Sequence, residues 1–480
     1  MSKIQRLAGE TMLYGLGSIV PRFLNFLLVR LHTDVFVPEE YGIITKLFAY
    51  VAVINIIFTF GMETAYFRFA TKPGADERRI FNITQSVVLL ITLSFSIAFI
   101  LLAEPIANAL EIPGNADLVR WLVVIMFLDA LVAIPFARLR LQKKAKTFAA
   151  ARLVNITILI GLNIYFLTIV YDPAVGIGYV IIANLIANAF YLFFFAGILI
   201  SWRPAFDREI SPTILTYAYP IMLTGLAGMT NETFSRLTLD WWLPENFYPG
   251  QSSEYALGIF GACYKFGVLM NLAVQAFRYA AEPFFFSNAA DKGSPTLFAR
   301  VNHYFVIVCC VLLLGVCINL DILKYFLGKE EYWQGLSIVP ILLLGYLFLG
   351  VYYNISVWFK LTDKTFYGTV ITVGGVIITI AANYLLIPLA GYLGSSWATF
   401  LCYFSMTVAC YLLGQKYYPI PYNVGKSMVL IAITFAIVYA VNLVSIDDQW
   451  LATTFHAVVI VAYVLVIYLL ERKQFRPTSN

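Results

Sequence analysis

Long runs of apolar residues, each about the length of a membrane span, fill this chain almost from end to end. A run of about 20 such residues predicts a transmembrane helix, because a rise of about 1.5 Å per residue then covers the roughly 30 Å hydrocarbon core. The pattern predicts fourteen spans joined by short connections, near residues 8–31, 42–68, 80–103, 117–138, 148–170, 176–200, 213–241, 255–286, 298–320, 335–359, 367–388, 392–414, 427–445 and 450–470. The expected fold class is therefore an all-α integral membrane protein with fourteen transmembrane helices.

Polar breaks divide these spans into groups of six, six and two. A charged, proline-bearing stretch at 201–214 follows the sixth span, and a basic one at 415–427 follows the twelfth. We therefore predict an N-lobe (1–200), a C-lobe (201–415), and two C-terminal helices with a cytoplasmic tail (416–480). The second span of each lobe begins in a similar way, with EYGI at 40–43 and ALGI at 256–259. This repeat favours two parallel six-helix lobes related by an axis along the membrane normal, with a substrate path between them.

The connections carry opposite charges on the two sides of the membrane. Alternate connections and the C-terminal tail are basic, and this set includes Arg78, Arg79, Lys143, Lys144, Lys292 and Arg476. The remaining connections are acidic and contain Asp34, Glu39, Glu40, Glu104, Glu111, Asp447 and Asp448. Basic loops stay on the cytoplasmic side, so we predict that both termini are inside.

Composition excludes a soluble globular domain. The chain is 61% hydrophobic and only 12% charged, with a mean hydropathy of +0.80. Such values are typical of membrane proteins. The net charge of +5 lies mostly at the cytoplasmic rim, where we expect it to contact anionic membrane lipids rather than nucleic acid.

Several charged residues fall inside the apolar runs. A charge at the bilayer centre costs about 2.5–3.5 kcal/mol on insertion scales, so such residues need a polar environment. A water-filled cationic cavity within the bundle would supply one, and it would bind an anion. The predicted cavity cations are Arg22, Arg30, Arg68, Lys265 and Arg278. Arg30 and Arg68 lie close enough to span ends to reach the interface instead.

Further charged residues within the spans are candidates for ion pairing or for coupling to an ion. The candidates are Glu63, Asp129, Glu232, Arg236 and Asp240. Glu63 and Asp129 are possible partners of Arg22. Glu232, Arg236 and Asp240 are spaced by four, so they share one helix face and could neutralise one another. An ion or proton site on that face is the alternative interpretation.

Enzyme chemistry finds no support in the sequence. The histidines His32, His303 and His456 are isolated, and the six cysteines fall inside spans without metal-ligand spacing. We find no phosphate-binding P-loop and no catalytic triad. We therefore expect no enzyme activity, no metal and no cofactor, and we leave a coupling ion, H⁺ or Na⁺, open.

Three segments resemble polysaccharide flippases. Residues 382–399 (ANYLLIPLAGYLGSSWAT) resemble the hairpin between the eleventh and twelfth spans of that family, with Ser395-Ser396 in place of the usual alanine pair. Residues 38–42 (PEEYG) resemble its first outside loop, and residues 219–228 (YPIMLTGLAG) resemble its seventh span. Many members carry an aspartate before the arginine of the seventh span. This chain has Ser235 there, which departs from a family-like ion site.

The resemblance implies a member of the multidrug/oligosaccharidyl-lipid/polysaccharide exporter superfamily, in its O-antigen-type flippase branch. It implies a cargo of oligosaccharide on undecaprenyl diphosphate, turned from the inner to the outer leaflet of the bacterial cytoplasmic membrane. In the family, cations on the first, second and eighth spans face the central cavity, which assigns Arg22, Arg30, Arg68, Lys265 and Arg278 to cargo binding. We expect a monomer, with glycan-assembly enzymes as candidate partners.

Other functions fit less well. A lipid II flippase is a close alternative, and a cation-coupled drug antiporter of the same superfamily is a second one. A cationic cavity suits the cationic cargo of such an antiporter poorly. A membrane glycan polymerase or ligase is disfavoured, because no large outside loop is present to hold an acceptor. A purely structural scaffold would leave the buried arginines unexplained.

Overall fold

A computed structural model describes residues 3–289, 293–444, 446 and 448–475, and within these the chain is helical without any strand. Lys292, Asp447 and Arg476, which contribute to the predicted charge distribution, lie outside the described residues. The α-helices are α1 Lys3–Val35, α2 Pro38–Thr59, α3 Met62–Ala70, α4 Glu77–Leu101, α5 Ala103–Ala109, α6 Ala116–Leu141, α7 Ala145–Thr168, α8 Gly178–Phe194, α9 Ala196–Ser201, α10 Ile210–Trp242, α11 Ser253–Asn288, α12 Ser294–Cys317, α13 Leu320–Leu323, α14 Val339–Ile355, α15 Val357–Leu361, α16 Phe366–Tyr417, α17 Val424–Asn442 and α18 Gln449–Phe475.

Ten helical segments in the described part of the chain are long and apolar enough to cross a membrane. They include the continuous runs Pro38–Ala70 and Phe366–Tyr417, while α8, with 17 residues, is a shorter apolar helix. The predicted all-helical, multi-pass membrane architecture is confirmed. The count of fourteen spans and their orientation stay predictions. We use "outer end" below for the end of the bundle that the charge pattern predicts to be outside.

The segment with the flippase-like hairpin sequence reverses its direction inside α16. Gly391 adopts φ 56° and ψ −133°, a left-handed conformation that a side chain would strain. The hydroxyl of Tyr248, in the connection between α10 and α11, occupies the space that a Cβ at Gly391 would need, and it accepts a hydrogen bond from the Tyr392 amide at 3.2 Å. Gly394 then packs against the Leu386 carbonyl, so the two arms of α16 lie side by side.

The two repeated segments meet each other at the outer end. A Cβ on Gly42 of α2 would overlap the carbonyl oxygen of Glu254, and a Cβ on Gly258 of α11 would overlap that of Pro38. Each glycine therefore packs on the residue four positions before the other glycine. Such a reciprocal contact is typical of elements related by a two-fold axis. We call this contact the glycine seam.

The two largest apolar cores among the described residues are built by different sets of helices. One is built mainly by α4 and α6, with contributions from α3 and the start of α10. The larger one is built mainly by α11, α12, α14 and the second arm of α16. Polar side chains that belong to neither core lie where α1, α2, α7 and α8 face α10 and α11.

Candidate functional site

A polar pocket lies between the helices of the two predicted lobes, in the half of the bundle near the outer end. We call it the central pocket; its volume is about 180 Å³. Its walls come from α1, α2, α7 and α8 on one side and α10 and α11 on the other. The lining residues are Asn25, Leu28, Val29, His32, Tyr41, Ile44, Thr45, Phe48, Asn163, Val180, Asn184, Arg236, Gly261 and Lys265.

Two cations face the central pocket without an acidic neighbour in its lining. Arg236 and Lys265 both line it, and no carboxylate belongs to the described lining residues. The Arg236 guanidinium lies 4.7 Å from the centre of the Tyr264 ring and donates to the Glu232 carbonyl at 3.4 Å. No hydrogen-bond partner among the described residues accepts from its buried Nε. The pocket can therefore offer both cations to an anion.

Neutral hydrogen-bonding groups complete the central pocket. His32 and Asn163 share a buried hydrogen bond of 2.8 Å between Nε2 and Oδ1. The amide nitrogen of Asn163 donates to the Leu159 carbonyl at 2.8 Å, which leaves its oxygen to accept from His32. This arrangement places the proton of a neutral His32 on Nε2. Hydroxyl, amide and imidazole groups of this kind suit the sugar or phosphate oxygens of a polar ligand.

A second polar cavity lies in the other half of the bundle, within the predicted N-lobe. We call it the inner cavity; its volume is about 410 Å³. It is lined by Gly17, Ser18, Pro21, Arg22, Asn55, Thr59, Glu63, Asp129, Val132, Ala133, Phe136, Arg140, Phe148 and Arg152. Three guanidinium groups thus face two carboxylates. The inner cavity carries a smaller positive excess than the central pocket relative to its size.

The charges of the inner cavity are partly paired. Arg140 forms an ion pair with Glu63. Arg152 stacks 4.1 Å from the centre of the Phe136 ring. Among the described residues, Arg22 has no carboxylate within 4.0 Å, although it lines the same cavity as Asp129. Arg22 is therefore the guanidinium that is most available to a ligand here.

The two cavities lie end to end along α1. Arg22 lines the inner cavity and Asn25 lines the central pocket, three residues further along the helix. This spacing corresponds to about 4.5 Å along the helix axis. The two cavities are therefore neighbours along α1.

A cluster of charges lies near the outer end, where α2 meets α10 and α11, and we call it the outer ion cluster. The Lys46 ammonium of α2 lies 2.5 Å from Asp240 of α10 and 3.1 Å from Glu254 of α11, and the exposed Glu111 is 3.9 Å away. Only 3% of the Lys46 side chain and 4% of the Asp240 side chain is exposed. The three carboxylates are close enough to hold a metal ion, but the lysine ammonium lies among them.

The structure distributes the five predicted cavity cations over several places. Lys265 lines the central pocket and Arg22 the inner cavity. Arg30 donates to the carbonyls of Tyr325 and Leu327, at 2.5 and 3.3 Å, and so ties the end of α1 to the loop before α14.

Arg68 and Arg278 lie outside both cavities. Arg68 is exposed, 4.6 Å from the centre of the Tyr217 ring. Arg278 packs 4.8 Å from the centre of the Tyr353 ring, in a small recess beside the 2.6 Å Lys360–Glu282 pair. The five cations therefore do not share one cavity.

Among the described residues, Glu232, Arg236 and Asp240 of α10 form no ion pair with one another within 4.0 Å. Asp240 pairs with Lys46 instead of Arg236, and Arg236 faces the central pocket, where it contacts the backbone of Glu232 rather than its carboxylate. Glu63 pairs with Arg140 and not with Arg22. The spacing by four does place side chains on one face, but the neighbouring helices decide which partner each one meets.

Three residues of these sites were not predicted. Lys46 and Arg152 lie within predicted spans, and Arg140 lies just beyond the end of the fourth predicted span. Lys46 did have a signal, since it is a lysine one turn after Gly42 inside a predicted span. Ser235, which stands where many flippases have an aspartate, hydrogen-bonds to Thr399 and the Ser395 carbonyl at 3.2 and 3.3 Å.

Solved structures of other proteins share this fold along most of the length of both chains. A structure described as lipid II flippase MurJ in an inward closed conformation is 15% identical, with a TM-score of 0.77, and the match covers 97% of this chain and 100% of that one. A structure described as an inward-facing multidrug resistance MATE family transporter of the MOP superfamily is 14% identical, with a TM-score of 0.63, covering 91% and 100%.

A third structure, a point mutant of the Vibrio cholerae MATE transporter VcmN, is 14% identical, with a TM-score of 0.59 and coverage of 86% and 96%. At these identities the likeness shows the fold. No curated protein matches the sequence. A sequence family described as polysaccharide biosynthesis protein matches residues 27–282, which is more than half of the chain. The resemblance drawn from the three sequence segments is thereby confirmed, and this chain belongs to the polysaccharide biosynthesis protein family.

Proposed function

We propose that this protein moves an oligosaccharide on an undecaprenyl diphosphate carrier, such as an O-antigen unit, from the inner to the outer leaflet of the bacterial cytoplasmic membrane. One observation carries the proposal: Arg236 and Lys265 face a pocket between the predicted lobes whose described lining contains no acid. Cations that lack an ion-pair partner are costly inside a membrane protein, and a bound anion would stabilise both of these. Membership of a polysaccharide biosynthesis family supports a glycan as the attached cargo.

A diphosphate matches this pocket chemically. It carries about two negative charges, and arginine binds phosphate oxygens through two parallel N–H groups. Lysine adds a point charge, and Asn25, Asn184 and Tyr41 add neutral donors. Cationic cargo, as exported by a drug antiporter, would be repelled by the same pair. The charge of the central pocket thus favours the flippase over the antiporter.

Cavity size suggests an order of events. The central pocket, at about 180 Å³, is smaller than the roughly 300–1,000 Å³ typical of ligand pockets. In this closed arrangement it has room for the diphosphate but not for several sugars. The inner cavity, at about 410 Å³, is larger and contains Arg22. We infer that cargo enters past Arg22 and advances to Arg236 and Lys265 as the lobes move, while the isoprenoid tail stays in lipid.

The proposal includes the topology expected from the sequence. It takes fourteen spans with both termini inside, an N-lobe at 1–200, a C-lobe at 201–415, and two further helices within 416–480. The reciprocal packing of Gly42 and Gly258 supports parallel lobes related by an axis along the membrane normal. Alternating access would come from rocking of the lobes about this contact, in a monomer that works beside glycan-assembly enzymes.

No catalytic step is required. The inside-negative membrane potential drives an anion outward by about 2.3 kcal/mol per charge per 100 mV. A diphosphate with about two charges would therefore gain roughly twice that amount at the same potential. Return of the empty carrier is the step at which H⁺ or Na⁺ could couple.

A flipping assay with matched variants tests the proposal. The protein is reconstituted in liposomes with a fluorescent undecaprenyl diphosphate disaccharide, and dithionite reports the label that reaches the outer leaflet. We expect the Arg236→Ala/Lys265→Ala double variant to lose at least 90% of the flipping rate. Arg120→Ala, an arginine on an exposed pair with Asp117, should retain the wild-type rate. Equal rates for the double variant and the wild type would refute the proposal.

A lipid II flippase is a second candidate, because the fold likeness to MurJ extends over 97% of the chain. The two candidates share the diphosphate and differ in the sugars. Depletion of the protein in its native cell separates them. Accumulation of an oligosaccharide lipid on the inner leaflet favours the first function, and accumulation of lipid II favours the second.

A further inference from the structure

The outer ion cluster lies beside the central pocket. Thr45 lines the pocket, and Lys46 follows it on α2, about 100° further round the helix. Arg236 also lines the pocket, and Asp240 lies one helical turn further along α10. The pocket lining and the outer ion cluster thus share the helices α2 and α10.

The outer ion cluster joins helices from opposite predicted lobes. Lys46 belongs to α2, whereas both of its nearest carboxylates, Asp240 and Glu254, belong to α10 and α11. Ser253 donates a hydrogen bond to Asp240 and so fixes that carboxylate on the C-lobe side. If α2 moves away, the ion pairs of Lys46 with Asp240 and Glu254 are broken. The cluster is therefore complete only while the outer end is closed.

The glycine seam lies directly beside the cluster. Gly42 packs on the carbonyl of Glu254, whose side chain binds Lys46. Close approach of the two backbones thus brings the ammonium to its carboxylates, and any parting of the seam separates them. Lys46 also donates to the Leu110 carbonyl at 3.3 Å, a contact within the N-lobe that would remain after separation.

We propose that Lys46, Asp240 and Glu254 form an electrostatic latch that holds the outer end closed, and that a diphosphate in the central pocket releases it. The second part rests on the proposed function. An anion held by Arg236 and Lys265 attracts the Lys46 ammonium and repels the Asp240 carboxylate, which lies one turn from Arg236. Charge interactions across about one helical turn are strong where water is scarce. The cargo would then open its own exit.

The rate at which a thiol reagent from outside labels the central pocket reports whether the latch is closed. Asn184→Cys places a thiol in the pocket wall, while the six native cysteines are all buried. A membrane-impermeant maleimide is applied from outside to intact cells, and the parent without Asn184→Cys gives the background. We expect Lys46→Met to raise the labelling rate at least tenfold. Lys46→Glu and Asp240→Lys should each do the same, and their combination should restore slow labelling.

A lysine–carboxylate pair elsewhere provides the control. Lys426 of α17, whose side chain is 38% exposed, pairs with Glu471 of α18, which is only 4% exposed. Both partners belong to the two C-terminal helices, so Lys426→Met removes the lysine from a buried carboxylate without touching the outer end. It should leave labelling at the wild-type rate. A wild-type rate in Lys46→Met would overturn the latch, and so would failure of the charge exchange to slow labelling in a folded double variant.

Farnesyl diphosphate tests the release. It is added to the purified protein bearing Asn184→Cys, and its binding is measured by calorimetry alongside maleimide labelling. The proposal predicts binding and at least tenfold faster labelling, and both effects should be absent in Arg236→Ala/Lys265→Ala. Binding without faster labelling would overturn the release step. Absence of binding would instead refute the diphosphate pocket, while the Lys46→Met result would still decide the latch by itself.

Discussion

Adding a single methyl group at Gly258 should weaken the closed outer end. In Gly258→Ala the new Cβ would overlap the carbonyl oxygen of Pro38. This oxygen belongs to the backbone of α2, so no side-chain rotation relieves the overlap, and α2 and α11 must move apart. Overpacking of this kind costs about 1–3 kcal/mol, which corresponds to a shift of about 5- to 150-fold in an equilibrium between two states. The cost falls on the state in which the seam is closed.

The labelling rate and the unfolding temperature of the wild type, Gly258→Ala and Gly374→Ala check this reasoning. Gly258→Ala should speed maleimide labelling of Asn184→Cys from outside and lower the unfolding temperature in detergent. Gly374→Ala is the matched control, because a methyl group there meets no atom within 4 Å. In a helix it should be neutral or stabilise by up to about 1 kcal/mol. If Gly258→Ala labels and melts like Gly374→Ala, the seam does not hold the outer end, and the reasoning fails.

Three further changes test other parts of the molecule. Arg22→Ala should slow flipping at least tenfold, whereas Arg278→Ala, outside both cavities, should keep more than half of the wild-type rate in the liposome assay. Asn163→Leu removes the partner of His32 and should destabilise the protein by about 1–3 kcal/mol, seen as a lower unfolding temperature. Hydrogen bonds from the backbone N–H groups of Ile210 and Glu209, and then one from the Arg79 side chain, lower the pKa of the Asp207 carboxyl. The stabilising effect of this carboxylate is present above about pH 4 and is lost as the pH falls further. Asp207→Ala should therefore speed tryptic cleavage of the connection before α10 at pH 7, and unchanged cleavage would contradict this.

Hydropathy alone was sufficient to predict the helical membrane architecture. In the hydrocarbon core each apolar run must hydrogen-bond its own backbone N–H and C=O groups, and a helix does this. The boundary between the eleventh and twelfth spans was also readable, since a left-handed turn favours glycine and Gly391 supplied it. The short repeat containing Gly42 and Gly258 carried more information than its length suggests. It marked two positions that pack against each other.

The site was less predictable, because the partner of a buried charge is set by helices that are distant in sequence. Asp240 lies four residues from Arg236, yet it binds Lys46, which belongs to another helix and another predicted lobe. Arg278 and Lys265 lie on one helix, yet only Lys265 reaches the central pocket. Periodicity gives the face on which a side chain lies, but depth in the bundle and the rotation of neighbouring helices decide what that face meets.

The buried charges are ordered along the route from the inner cavity to the outer end. Three guanidinium groups face two carboxylates in the inner cavity. Two cations face no described carboxylate in the central pocket, and one ammonium faces two close carboxylates in the outer ion cluster. The positive excess is thus largest in the middle and reversed at the exit. An anion would be drawn to the central pocket and then repelled by Asp240 and Glu254 if the lobes merely widened. A Lys46 ammonium that turns from its carboxylates towards the cargo would offset this repulsion, and for this reason we expect the charge-exchanged latch to close normally yet transport poorly.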